Sequence, residues 1–387
     1  MNTTLKHWKE AATLILAAGR GRGFTPRAPL TGESSSGQSH LPHRSLFDYD
    51  VLLLKRSGKG GFMPNAYVFP GGVVDASDFS SEWLDIFRSF TNSPTFGLRS
   101  VKQPLETRPP IFATDRLKLG SPIPGEVALR ICALRETFEE SGVLLVAPKI
   151  EEKKMLKNIK DFGYIEHYGV NDLCSSELTK WRALVNQNPS NFIRMCRELQ
   201  VLPNIWALHE WGNWLTPASR YGTTRFDTAF FICCLQEIPQ EIERFQWSTP
   251  SEILQSYQAQ ELWIAPPQFY ELSCLCRFPL LNDLHNFASQ RATAGCEQWM
   301  PVVVSNDEHH ILLLPGDKLY PVDSPRDSEA AKNTVPPSKD HQDASPLHRI
   351  VISDRYTLRL QITITPKYNH VLPVAHSAVS HDSKSQL

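Results

Sequence analysis

The chain is 387 residues long, with a formal net charge of -1 and 41% hydrophobic residues. That composition supplies a substantial core in one large domain or two modest ones. A charge this close to neutral excludes a global field drawing the molecule to nucleic acid or to an anionic membrane, so any affinity for phosphate is local.

The first predicted element is a core strand within residues 1–18, built on the apolar run Ala11 to Ala18, which is far shorter than a membrane helix. Lys6 and Lys9 raise the alternative of a targeting peptide, but Glu10 interrupts the basic region and no convincing cleavage site follows. Residues 19–48, rich in Gly, Ser, Pro, Arg and His, read as a flexible loop. Its Gly19-Arg20-Gly21-Arg22-Gly23 stretch lacks the lysine and the following helix that a phosphate cradle needs. Tyr49 to Leu54 is a strongly apolar strand, Gly60-Gly61 marks a turn, and Tyr67 to Phe69 continues extended. Pro70-Gly71-Gly72 then bends with enough backbone freedom to bring a carbonyl near a metal. An insertion at about 79–124 opens with a short helix, Ser81 to Phe90, and turns proline-rich.

Val127, Ile131, Leu134 and Phe138 recur at spacings of four, three and four, a stripe that packs one side of a helix. Glu136, Glu139 and Glu140 project from another face at spacings of three and four. Like charges so close repel one another, which calls for a neutralising partner. A hard divalent cation, Mg2+ or Mn2+, takes such oxygen ligands and completes its shell with water and phosphate. The plainer alternative is a solvated acidic face on which Arg135 pairs with Glu139. Gly142 suits a C-terminal cap.

A second insertion, at about 148–203, carries helical patterns at Leu178 to Val185 and Phe192 to Leu199, with Trp181 and Cys196 facing a core. It reads equally as a substrate-selecting cap or as a brace for the sheet. Trp206, Trp211 and Trp214 read as core, as does His209, and Phe226 to Leu235 as a buried strand. The eight cysteines include no C-x-x-C pair and read as buried reduced thiols. Residues 324–348 are polar and proline-interrupted, a flexible segment before strand-like alternation resumes within 349–387.

The segments V-L-L-L-K-R-S (Val51 to Ser57), Y-V-F-P-G-G-V-V-D (Tyr67 to Asp75) and R-E-T-F-E-E-S-G-V (Arg135 to Val143) together resemble the Nudix hydrolases. The box of that family reads G, five residues, E, seven residues, R-E-U-x-E-E-x-G-U, with U aliphatic. Gly72 matches its opening, and Arg135, Glu136, Glu139, Glu140, Gly142 and Val143 match its close. Thr137 departs from the aliphatic position, and the insertion splits the two halves, so the first acid of the box is either Asp78 or Glu126. The split box, with I-W-A-L-H-E-W-G-N-W-L-T-P (Ile205 to Pro217), T-T-R-F-D-T-A-F-F (Thr223 to Phe231), W-S-T-P-S-E (Trp247 to Glu252) and P-P-Q-F-Y-E (Pro266 to Glu271), resembles the Nudix motif-19 type of peroxisomal coenzyme A diphosphatases.

The resemblance implies an α/β fold, a Nudix α/β/α sandwich with a mixed sheet spanning 49–323 and carrying both helical insertions. It implies Glu139 and Glu140 as metal ligands, Glu136 as a ligand or as acceptor of a water proton, Arg135 orienting the glutamates, and the Gly72 carbonyl completing the metal shell. Coenzyme A carries a diphosphate and a 3'-phosphate, so cations some distance from the metal are expected, and Lys55, Arg56, Arg220 and Arg225 are the candidates, ahead of Lys59. The implied reaction is hydrolysis of CoA or acyl-CoA to 3',5'-ADP and (acyl-)4'-phosphopantetheine. The alternatives are another nucleoside diphosphate derivative (ADP-ribose, NADH or an RNA cap) and a non-catalytic binding protein of the same fold. Ser385-Gln386-Leu387 resembles the terminal peroxisomal address read by an import receptor, with cytosol or mitochondrion as the other locations considered.

Overall fold

In the computed structural model, residues 8–21, 41–58, 63–92, 96, 101–157, 175–217, 225–239, 246–305, 309–321 and 346–374 are described. The segments 22–40 and 322–345, read as flexible from composition, lie outside them, as do Lys59, Gly60-Gly61, Arg220 and Ser385 to Leu387. Strands β1 (Trp8–Gly19), β2 (Tyr49–Lys55), β3 (Tyr67–Val68) and β4 (Gly71–Val73) precede helices α1 (Trp83–Ile86), α2 (Pro110–Ala113) and α3 (Gly125–Ser141). There follow β5 (Val146–Pro148), α4 (Glu152–Lys157), α5 (Ser175–Gln187), α6 (Asn191–Glu198) and β6 (Val201–Pro203). Strands β7 (His209–Leu215), β8 (Arg225–Leu235) and β9 (Gln246–Ser248) then lead into α7 (Pro250–Gln258), α8 (Pro266–Leu275), α9 (Leu281–Ala292) and β10 (Gln298–Trp299). The last strands are β11 (Val302–Ser305), β12 (His310–Leu313), β13 (His348–Asp354) and β14 (Thr357–Ile362).

Side chains alternate across a strand, so near-continuous apolar runs fit only a sheet covered on both faces. Leu14, Leu16, Leu52, Leu54, Phe231 and Cys233 point to the layer containing α3. Their neighbours Ile15, Ala17, Val51, Leu53, Phe230 and Ile232 point to the layer of α7, α8 and α9. The result is an α/β/α sandwich around a mixed sheet in the order β10-β7-β8-β1-β2-β3. Strand β1 runs parallel to β8 along its length and antiparallel to β2 near its C-terminal end. On the same edge its N-terminal half pairs instead with β4, placing Gly72 opposite Ala12. That change of partner along one edge delivers the Gly-Gly strand beside α3.

Helix α3 is buried further round than its stripe predicts. Besides Val127, Ile131, Leu134 and Phe138, residues Ala128, Leu129, Arg130, Cys132, Ala133, Arg135 and Thr137 are buried, so the reading of a solvated acidic face fails. The second insertion is closed at its base by β5 pairing with β6. Its helices place Trp181 and Cys196 in the core as expected, and Trp206, Trp211 and Trp214 are buried too. The described cysteines, Cys132, Cys196, Cys233, Cys234, Cys274, Cys276 and Cys296, are all buried free thiols.

The C-terminal strands do not divide at residue 323. Strands β11 to β14 form their own antiparallel sheet, with β12 pairing β13 across the segment 322–345. A main domain ending at 323 therefore cuts through this sheet: two of its strands precede the polar segment and two follow it. Leu16 is fully buried between β8 and α3, and Leu16→Ala is expected to lower the unfolding free energy by about 2–5 kcal/mol. Urea denaturation checks this: an unchanged midpoint would remove β1 from the centre of the core.

Candidate active site

Arg135, only 1% exposed, organises the site. Its Nε and Nη2 donate to the two carboxylate oxygens of Asp78, each at 2.8 Å. Its Nη1 donates to Glu136 Oε1 and Glu139 Oε1, again at 2.8 Å each. The pairing of Arg135 with Glu139 thus exists as one contact in a larger buried network. Asp78 lies in the short turn 76–79, where its carboxylate also accepts from the Asp75 N–H in a capping box. This decides between the two candidate acids. Glu126 occupies the first turn of α3 and faces Arg108, at 3.6 Å, while Asp78 grips Arg135.

Gly72 answers to space as well as to flexibility. A Cβ added there would fall into the Glu136 carboxylate, so any other residue would have to push that carboxylate from its place. Beside it, the Gly71 N–H donates to Glu140 Oε2 at 3.0 Å. Thr137, at the aliphatic position of the box, is fully buried, and its hydroxyl donates to the Ala133 carbonyl at 2.7 Å. The bond back to the preceding turn satisfies the hydroxyl and lets threonine pack there. Gly142 ends the helix in a left-handed conformation, its N–H donating to the Phe138 carbonyl.

Burial pushes the Glu136 and Glu139 carboxyls above their usual range, opposed by Arg135. It pushes Glu140 up to about 7, against the Gly71 N–H and the charge of Arg56. These carboxylates carry more negative charge than the protein around them neutralises. Among the described residues, each has one oxygen bonded to a protein donor and a second oxygen that is not. An all-oxygen donor set with surplus charge fits Mg2+ or Mn2+. The ligand oxygens of Glu136, Glu139 and Glu140 do not all lie within 4.8 Å of one another. The fit therefore rests on donor chemistry and on the close approach at Gly72.

Among the described residues, one trio of His, Cys and acid ligand atoms does meet that distance, Glu271, Cys274 and His370, in the layer on the far side of the sheet. Glu271 is already answered by protein. Its oxygens accept the Trp214 and Trp211 indole N–H groups at 2.8 and 2.7 Å, and the positive charge of Arg291 lies near.

The proposed substrate-binding cations divide. Lys55 and Arg56 are exposed where β2 ends, Lys55 Nζ lying 5.8 Å from the Tyr67 ring centre. Arg56 is near enough for Glu140 to feel its charge. Arg225 is not gathered into the carboxylate cluster. It opens β8 opposite Trp8, stacks its guanidinium 3.7 Å from the centre of that ring, and donates to the Thr216 carbonyl. The motif gave no sign of Arg182 and Asn186, which reach the last turn of α3 from α5.

A split loop and helix with this carboxylate set, locked by a buried arginine on an α/β/α sandwich, define the Nudix class. A family model described as the NUDT19 Nudix domain matches residues 8–275, and one described as the NUDT19 C-terminal domain matches 303–363. The chain is 46% identical to the acyl-coenzyme A diphosphatase NUDT19 of Xenopus laevis, covering 100% of both chains. It is 44% identical to that of Gallus gallus, again over 100% of both. With that of Homo sapiens it shares 39% identity, over 95% of this chain and 94% of the other. The chain belongs to the NUDT19 family of Nudix proteins.

Asp78→Ala strips the Arg135 guanidinium of two of its four carboxylate hydrogen bonds inside the core, and the fold is expected to lose about 3–5 kcal/mol. A thermal midpoint matching wild type would show that the buried pair does not hold the two halves of the motif together.

Proposed function

We propose that this chain hydrolyses coenzyme A and acyl-CoA at the diphosphate, yielding 3',5'-ADP and (acyl-)4'-phosphopantetheine, with Mg2+ or Mn2+ as cofactor. The observation that carries the reading is end-to-end similarity to acyl-CoA diphosphatases in a chain whose box carboxylates are all present, Glu136 and Glu139 on Arg135 and Glu140 on the Gly71 N–H. Glu139 and Glu140 would hold the cation, with the Gly72 carbonyl and Glu136 as further donors. When bound, the ion supplies neutralisation of the diphosphate oxygens and acidification of a water.

The side chains do the rest. Arg135 fixes one oxygen each of Glu136 and Glu139, which limits the positions open to the other. The Gly71 N–H does the same for Glu140. As the water oxygen bonds to phosphorus and the bridging P–O bond breaks, a carboxylate of this set accepts the water proton. Lys55 and Arg56 stand at the rim as cations for the outlying phosphate. Ser385, Gln386 and Leu387 are read as an address for the peroxisomal import receptor.

Glu140→Gln is expected to lower kcat on CoA by about two orders of magnitude or more with circular dichroism unchanged. Mass spectrometry of the products, with Mg2+ added or chelated, checks both points. Faster cleavage of ADP-ribose or NADH than of CoA would displace the substrate assignment. Deleting Leu387 from an N-terminally tagged chain is expected to shift it from peroxisomes to cytosol, and an unchanged distribution in microscopy would discard the address.

A further inference from the structure

The last turn of a helix carries unpaired carbonyls and the negative end of the helix dipole, so acidic side chains are disfavoured there and basic ones favoured. Helix α3 breaks this rule. Its final turn holds Glu139 and Glu140 and has no basic residue of its own. The cation comes instead from the second insertion. Arg182, on α5, donates through Nε to the Glu139 carbonyl at 2.8 Å and through Nη2 to the Glu140 carbonyl at 2.5 Å. One turn on, Asn186 Nδ2 donates to the Glu139 carbonyl at 3.2 Å. The fork of a guanidinium thus spans the backbones of two consecutive residues whose side chains belong to the carboxylate set.

We infer that Arg182, assisted by Asn186 and carried with it on α5 of the second insertion, is a positioning residue for the metal-binding carboxylates. The inference rests on the proposed function for the role of Glu139 and Glu140. Arg182 touches neither side-chain carboxylate in these contacts. It holds the two peptide units from which they spring, and its charge faces the end of the helix where theirs is least welcome. Arg135 fixes Glu136 and Glu139 from the side, and Arg182 fixes the same turn from the end. A brace of this kind, one shell out from the ligands, tunes cation affinity, and its loss costs about 10–100-fold in affinity or activity.

The test compares wild type with Arg182→Ala, Arg182→Lys and Asn186→Ala in the full chain. Mn2+ binding is measured by electron paramagnetic resonance alongside kcat and KM for CoA. Expected for Arg182→Ala is about tenfold weaker Mn2+ binding and a similar fall in kcat, with KM for CoA within about twofold. Lysine, a single point charge, should restore only part of the loss, and Asn186→Ala should show a smaller shift in the same direction. Mn2+ affinity within twofold of wild type in a folded Arg182→Ala or Arg182→Lys overturns the inference, even if wild type hydrolyses CoA. Should wild type bind Mn2+ and leave CoA intact, the substrate reading falls while the affinity comparison still decides the role of Arg182. If Arg182→Ala does not fold, Arg182→Lys and Asn186→Ala carry the same comparison, and equal Mn2+ affinity in both overturns it.

Discussion

The buried guanidinium of Arg135 is the constraint around which the site is assembled. A charge taken out of water is tolerated only when paired and hydrogen-bonded, and this one meets Asp78, Glu136 and Glu139 at once. Asp78 and Arg135 are 57 residues apart, with an entire insertion between them. Two parallel hydrogen bonds reunite the halves of a motif that the chain has pulled apart. The insertion is free to grow outward because its ends are pinned in one place.

Helix α3 is tied by charge along its whole length. Near its start, Glu126 and Arg130 join Arg108 and Glu210 in a second buried network, Arg108 meeting Glu210 at 2.7 Å. Close by, Arg116 pairs with Glu10 on β1 and donates to the Ile111 carbonyl. At its end, Glu139 and Glu140 occupy the position least suited to acids, and Arg182 answers from outside the helix. An element packed this fully against a sheet, and held by ions at both ends, has little freedom to shift the carboxylates it carries.

Much of this was legible in the chain and part was not, for physical reasons. The alternation of Leu14, Ile15, Leu16 and Ala17 announces a strand covered on both faces, and the spacing of Glu136, Glu139 and Glu140 announces a shared helical surface. Periodicity reports only where apolar residues recur. It missed that Arg135 and Thr137 are buried too, since Arg135 is satisfied by Asp78, which no local window contains, and Thr137 by the Ala133 carbonyl one turn back, a bond that apolar recurrence does not report. The choice of Asp78 over Glu126 depended on a contact across the insertion. The contact of Arg225 with Trp8 follows from the register of β8 against β1, which no local pattern announces. The C-terminal sheet escaped because its two local hairpins are joined by β12 pairing β13 across an intervening polar segment, and pairing between distant strands leaves no mark in either one.

The thiols carry a consequence of their own. Burial raises Cys196 and Cys233 above the ordinary range of a free thiol, with Cys132 and Cys274 raised by the same cause. Oxidation by peroxide proceeds through an ionised, accessible sulfur, which none of the seven described cysteines offers. This half of the molecule's sulfur chemistry is silent: these side chains act as small hydrocarbons, and an oxidant in the surrounding medium finds no sulfenic acid to make from them.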